Sequence, residues 1–86
     1  MIEVEYTATF IKMVQRLEKD LREDVYERVE GLRDPKNHAR LKVHALHGAL
    51  KGFYGFSVNY KLRIVFEKKS SKKFLLHFVG GHEIYD

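Results

Sequence analysis

Cysteine is absent from the chain, which excludes a disulfide framework and any thiolate zinc site and fits a reducing compartment. Long apolar runs are missing as well, and no stretch approaches the roughly 20 residues needed to cross a bilayer. The opening segment, MIEVEYTATF, carries Glu3 and Glu5 and has no basic stretch leading into an apolar run, so it does not read as a secretory signal. The expectation is a soluble, cytoplasmic protein without membrane contact. Proline occurs once, at Pro35, and neither an internal repeat nor a low-complexity segment is visible.

What is present is globular. Hydrophobic residues make up 44% of the 86 positions and charged residues 33%, a mixture too rich in Leu, Val, Ile and Phe for intrinsic disorder. A chain this short supports one core and one domain, residues 1–86, and removes only about 60% of its unfolded surface from water. The net charge of +4 conceals a split: residues 1–34 hold nine acids against six Lys/Arg, and residues 35–86 hold three acids against ten Lys/Arg with all five histidines. A segregated basic surface concentrates and steers anions, so phosphate is the expected partner chemistry of the second half.

Ile2, Val4 and Tyr6 alternate with Glu3 and Glu5, the period of a half-buried strand. Thr7 or Thr9 can cap a helix over Ala8 to Lys19, with the stripe Phe10, Met13, Val14, Leu17 and Leu21. Asp20 with Glu23 resembles a capping box for a second helix striped by Leu21, Val25, Val29 and Leu32, which Asp34-Pro35 ends. The period then changes to two. Four strands are expected: Leu41 to His44, Phe53 to Tyr60, Leu62 to Glu67 and Phe74 to Val79, with KKSSKK (68–73) as a polar hairpin loop. The fold class is therefore α+β, in the order β-α-α-β-β-β-β, with a helical hairpin on one face of a mainly antiparallel sheet. Lys42, His44, Ser57, Asn59, Arg63 and His77 are assigned to the other face.

Three sets of residues carry chemistry. His44 and His47 have an unperturbed pKa of about 6.5 and can take or give a proton. At strand spacing they point to different faces, and no cysteine or carboxylate completes a tetrahedral set, so no metal site is expected. Arg63, set among apolar neighbours in LRIVF, offers a planar fork of donors matched to phosphate, or alternatively an ion pair with Glu67 or Glu83. Lys42, Lys51 and Lys61 flank these groups, near Phe53, Tyr54 and Tyr60, whose rings can stack on unpaired bases or fill the core. The tail GGHEIYD adds His82 and Tyr85.

The segments HALHGALKGFYGFSVNY, LRIVF and VGGHEIYD, in this order after a helical hairpin, resemble the RelE/ParE superfamily of type II toxins, and within it the RelE and YafQ messenger-RNA interferases. The resemblance places His44 and His82 at catalytic histidines of the YafQ branch and Arg63 at the phosphate-binding arginine of the RelE branch. The chain departs from the pattern elsewhere: Gly55 and Ser57 replace the RelE lysine pair, Lys61 replaces a YafQ aspartate, and a mid-strand histidine is missing.

The activity implied by the resemblance is ribosome-dependent cleavage of messenger RNA by attack of a ribose 2′-hydroxyl on the adjacent phosphorus, without metal or cofactor. His82 and His44 would be the acid/base pair, Arg63 the phosphate stabiliser and Tyr85 an orienting or stacking group. Lys42, His47, Lys51 and Lys61 would bind RNA, and His47 would substitute if His44 pointed inward. A cognate antitoxin is the implied protein partner, in a possible toxin–antitoxin hetero-oligomer. Two alternatives keep the fold: a ParE-like non-enzymatic inhibitor of DNA gyrase, and a degenerate member that only binds antitoxin.

Overall fold

The computed structural model describes residues 1–81. Its elements are β1 (Glu3–Tyr6), α1 (Ala8–Gln15), α2 (Lys19–Leu32), a 3-10 turn (Pro35–Asn37), β2 (His44–Ala45), a second 3-10 turn (Gly48–Leu50), β3 (Tyr54–Ser57), β4 (Arg63–Ser70) and β5 (Lys73–Gly80). The strands form one sheet in the order β1-β5-β4-β3-β2. β1 runs parallel to β5, and every other pairing is antiparallel. Both helices lie on one face, as the order of periodicities predicts.

The helical stripes are as expected, but their ends differ. Thr7 caps α1, its Oγ1 accepting from the Phe10 amide at 3.0 Å. α1 stops at Gln15 and not at Lys19, because the Arg16 and Leu17 amides turn back to the Met13 and Val14 carbonyls and tighten the last turn. The Arg22 guanidinium then satisfies the Leu17 carbonyl. The N-cap of α2 is Glu18, in an extended conformation and without a side-chain bond. Asp20 is therefore not a cap: it lies in the first helical turn, where its charge meets the helix dipole.

Between sheet and helices, Phe66 is fully buried and touches three rings: Phe74 at 4.9 Å, Tyr54 at 5.7 Å and Phe56 at 5.8 Å between centroids. Val25, Val29, Leu32, Leu41, Ile64 and Leu76 close around this group. Leu46 and Val65 are also buried but stand apart from that cluster. Val65 alternates with Ile64 and Phe66, so it belongs to the opposite face, which is therefore not wholly polar. A bulge in β5 accounts for the rest of the pattern. Val65 pairs with Phe78 and Phe66 with Leu76, so His77 is the extra residue. The slip lets Leu76 and Val79, three apart, both face the core.

Three other expectations change. Leu41 to Val43 is a series of tight turns, with Lys42 at φ 59°, and the strand there is only His44–Ala45. Asn59 and Tyr60 lie beyond the end of β3, and Tyr60 is 81% exposed. KKSSKK is mostly strand: β4 runs to Ser70 and β5 starts at Lys73. The Lys68 ammonium sits 4.2 Å over the Tyr54 ring, which keeps a long charged side chain on apolar surface. The first strand is as the alternation predicts: Glu3 and Glu5 of β1 pair with Lys73 and Leu75 and are exposed.

Candidate functional site

The basic groups gather at one end of the sheet, where four segments meet in a row. The Ser57 amide donates to the Leu41 carbonyl at 3.3 Å, Ser57 pairs with Arg63, and Arg63 pairs with Gly80. Lys42 follows Leu41 at one end of the row, and Gly81 follows Gly80 at the other. Arg63 is half-buried, and its Nη1 donates to the carbonyls of Asn59 at 2.8 Å and Leu62 at 3.3 Å. These two bonds from Nη1 fix the side chain against the loop.

That loop is built by Asn59. Its Oδ1 accepts from the Lys61 amide at 2.8 Å and the Leu62 amide at 2.9 Å, an Asx turn that brings the chain into β4. Asn59 therefore works on its own backbone and is not a face residue of a strand. Its Nδ2 also reaches Asp24 Oδ2 at 3.5 Å. Lys61 is exposed, and its ammonium lies 5.7 Å from the centroid of the Tyr60 ring.

His44 pairs with Gly55, one step along the sheet from Ser57, so it shares a face with Arg63. Two strand spacings and two residues separate their Cα atoms by about 12 Å. His44 is exposed, and its Nδ1–H donates to the Lys42 carbonyl at 2.8 Å. A carbonyl can only accept, so a neutral ring bonded in this way carries its proton on Nδ1 and not on Nε2. The left-handed turn at Lys42 thus sets the tautomer of His44.

The other candidates are placed differently. His47 and Lys51, both exposed, flank the 3-10 turn at the far end of the β2–β3 hairpin. Four residues of β-strand, about 14 Å, separate that end from the Arg63 row. His82 and Tyr85 lie outside the described residues. Sequence reasoning placed His77 on the open face without a role. Its ring packs 4.9 Å from Phe53, and Nε2 bonds Glu67 Oε1 at 3.1 Å, with the Lys69 ammonium 3.5 Å from the same oxygen. The bond from His77, joined by Lys69 and opposed by partial desolvation, holds the Glu67 carboxyl below its ordinary pKa. Glu67 is thus engaged along β4 and β5. Among the described residues no three His, Asp or Glu side chains converge as a metal would require.

A second surface lies on the helical side. Tyr6, Phe10, Ile11, Val14, Gln15 and Tyr26 line a hollow of about 240 Å³, in which Tyr6, Ile11 and Tyr26 are 48%, 46% and 61% exposed. Tyr6 stacks on Phe10 at 5.6 Å; burial and the nearby Glu30 carboxylate push its phenol pKa up. No helix among the described residues is long and apolar enough to cross a membrane.

No family model matches the chain, and no curated protein matches it. Solved structures do. YafQ of Escherichia coli superposes with a TM-score of 0.78 at 18% identity, covering 98% of this chain and 97% of that one. The toxin–antitoxin complex RelBE2 of Mycobacterium tuberculosis gives 0.77 at 16%, covering 94% and 98%. The chain has the RelE-like toxin fold. The YoeB–YefM complex of Staphylococcus aureus extends the likeness, with a TM-score of 0.73 at 14% identity over 95% of this chain and 98% of its match. The RelE-like fold agrees with the resemblance carried by the HALHG, LRIVF and VGGHEIYD segments.

Proposed function

We propose that this chain is the toxin of a type II toxin–antitoxin pair and that it cleaves messenger RNA in the cytoplasm, on the ribosome. The observation that carries this reading is the Arg63 row: a half-buried guanidinium held at a sheet end, with Lys42, Lys61 and a tautomerically fixed His44 around it. Arg63 meets the scissile phosphate and stabilises charge developing on its non-bridging oxygens. A base takes the proton of the 2′-hydroxyl, the oxygen attacks phosphorus, the bond to the 5′ oxygen breaks, and an acid protonates that leaving oxygen. His44 Nε2 suits the base. His82, next in sequence after Gly81, is the acid by resemblance, and Tyr85 orients the substrate. The likeness to RelBE2 and YoeB–YefM, both complexes, supports an antitoxin partner, and so does the exposed apolar hollow, since such clusters mark protein contacts.

Expression of the chain alone, followed by growth and by mapping of messenger-RNA ends in a translating extract, tests the reading. Arg63→Ala and His82→Ala are each expected to abolish arrest and cleavage; unchanged cleavage by His82→Ala would remove that residue from the mechanism. Intact messenger RNA with accumulating gyrase-linked DNA breaks would select the gyrase reading instead. Retained antitoxin affinity without toxicity would indicate a degenerate member.

A further inference from the structure

Tyr60 is 81% exposed, the largest value for any Phe or Tyr among the described residues, yet the loop that carries it is tightly bonded. Asn59 Oδ1 holds the two amides that follow Tyr60, the Val58 amide donates to the Leu62 carbonyl at 2.9 Å, and Arg63 Nη1 is anchored on the Asn59 carbonyl. A large ring is therefore displayed to water from a fixed mount, beside the guanidinium. Lys61 lies over one face of the ring, and the exposure leaves the opposite face to solvent. Every neighbouring charge that the loop itself supplies is positive.

From this arrangement we propose that Tyr60 is a stacking platform for one unpaired base of single-stranded RNA, whose adjoining phosphates lie against Lys61 and Arg63. An aromatic face next to two cations, Lys61 and Arg63, matches the repeat of a nucleotide, a flat base joined to an anion. A peptide partner would need exposed apolar neighbours around the ring, and the apolar residues of the loop, Val58 and Leu62, are buried. The rigid mount matters because the ring is ordered before the ligand arrives, so binding spends little on immobilising it. The inference rests on reading the Arg63 end as an RNA interface and adds to it a position that sets where the strand lies.

The test is titration of the full chain with fluorescein-labelled octauridylate at several salt concentrations, comparing wild type with Tyr60→Ala, Tyr60→Leu, Tyr60→Phe and Arg63→Ala. Tyr60→Ala and Tyr60→Leu should weaken binding about tenfold with an unchanged salt slope, because a stacked base carries no counterions. Tyr60→Phe keeps the ring and should stay within about twofold of wild type. Arg63→Ala should lower the salt slope by about 0.7, one phosphate contact on a single strand. If Tyr60→Ala and Tyr60→Leu bind like wild type while Arg63→Ala is weakened, the platform is refuted and the RNA interface stands. Equal losses in Tyr60→Phe and Tyr60→Ala would also refute it, by assigning the effect to the hydroxyl. If wild type shows no salt-dependent binding, both the platform and the RNA interface fall.

Discussion

Removing the side chain of Asn59 should loosen the end of the sheet far more than its exposure suggests. Asn59→Ala leaves two backbone amides without their acceptor. The Lys61 amide is in an exposed stretch and can be rehydrated, but Leu62 is 7% exposed and its amide is harder to reach with water. A net hydrogen bond contributes about 0.5–1.5 kcal/mol, and a buried orphan donor costs about 1–3. With the first figure for the Lys61 amide and the second for the Leu62 amide, the combined loss is about 1.5–4.5 kcal/mol, which lowers a urea midpoint by roughly 1–3 M for a small domain. Asn59→Asp retains an acceptor at the same place and should recover most of the loss. The control is Asp24→Ala, which removes the 3.5 Å contact to Asn59 Nδ2 and should cost less than about 0.5 kcal/mol, as exposed polar pairs do. Equal destabilisation by Asp24→Ala and Asn59→Ala would refute the argument, since Asn59 would then act through α2 and not through its own turn.

Phe66→Ala should cost about 3–5 kcal/mol in the same urea experiment, a large share of the roughly 4–13 kcal/mol that a domain of this size possesses; a loss below 1 kcal/mol would mean that its three ring contacts do not set the core. Glu67 gives a pH dependence. Its folded pKa lies below the ordinary 4.5, so its contribution is complete above that value and is lost as pH falls through the folded value. Urea midpoints from pH 6 to pH 3 should therefore fall more steeply for wild type than for Glu67→Gln, and parallel curves would exclude the His77 bond as a source of stability.

Local periodicity made the helices legible: Phe10, Val14, Val25, Val29 and Leu32 were each recoverable from spacing, because an amphipathic stripe is decided within one element. The open end of the sheet was not legible in the same way. Lys42 and His44 alternate with Leu41 and Val43 as a strand would, yet the backbone turns at Lys42, since short side-chain patterns do not reveal a positive φ. KKSSKK reads as loop by composition, but pairing with an apolar β5 draws both flanks into strands. The bulge at His77 was hidden by a run in which nearly every residue is apolar, so neither face stands out. Arg63 was recognisable as an arginine needing a reason; its anchoring on Asn59, four residues away, depends on a turn that begins in a segment whose alternation reads as strand.

The parallel pairing of β1 with β5 bears on how the molecule comes into being. Thr7 bonds to the His77 carbonyl 70 residues later, and Val4 lies beside Phe74. The first strand thus has no partner until the last has been synthesised, and a contact of such span is slow to close. A growing chain can form its helices early, but the stripe that includes Phe10 and Val14 has no sheet to cover it until then. The Arg63 row, whose last member is Gly80, is assembled in that same late step, so maturation of the site is coupled to completion of the sheet and cannot run ahead of it.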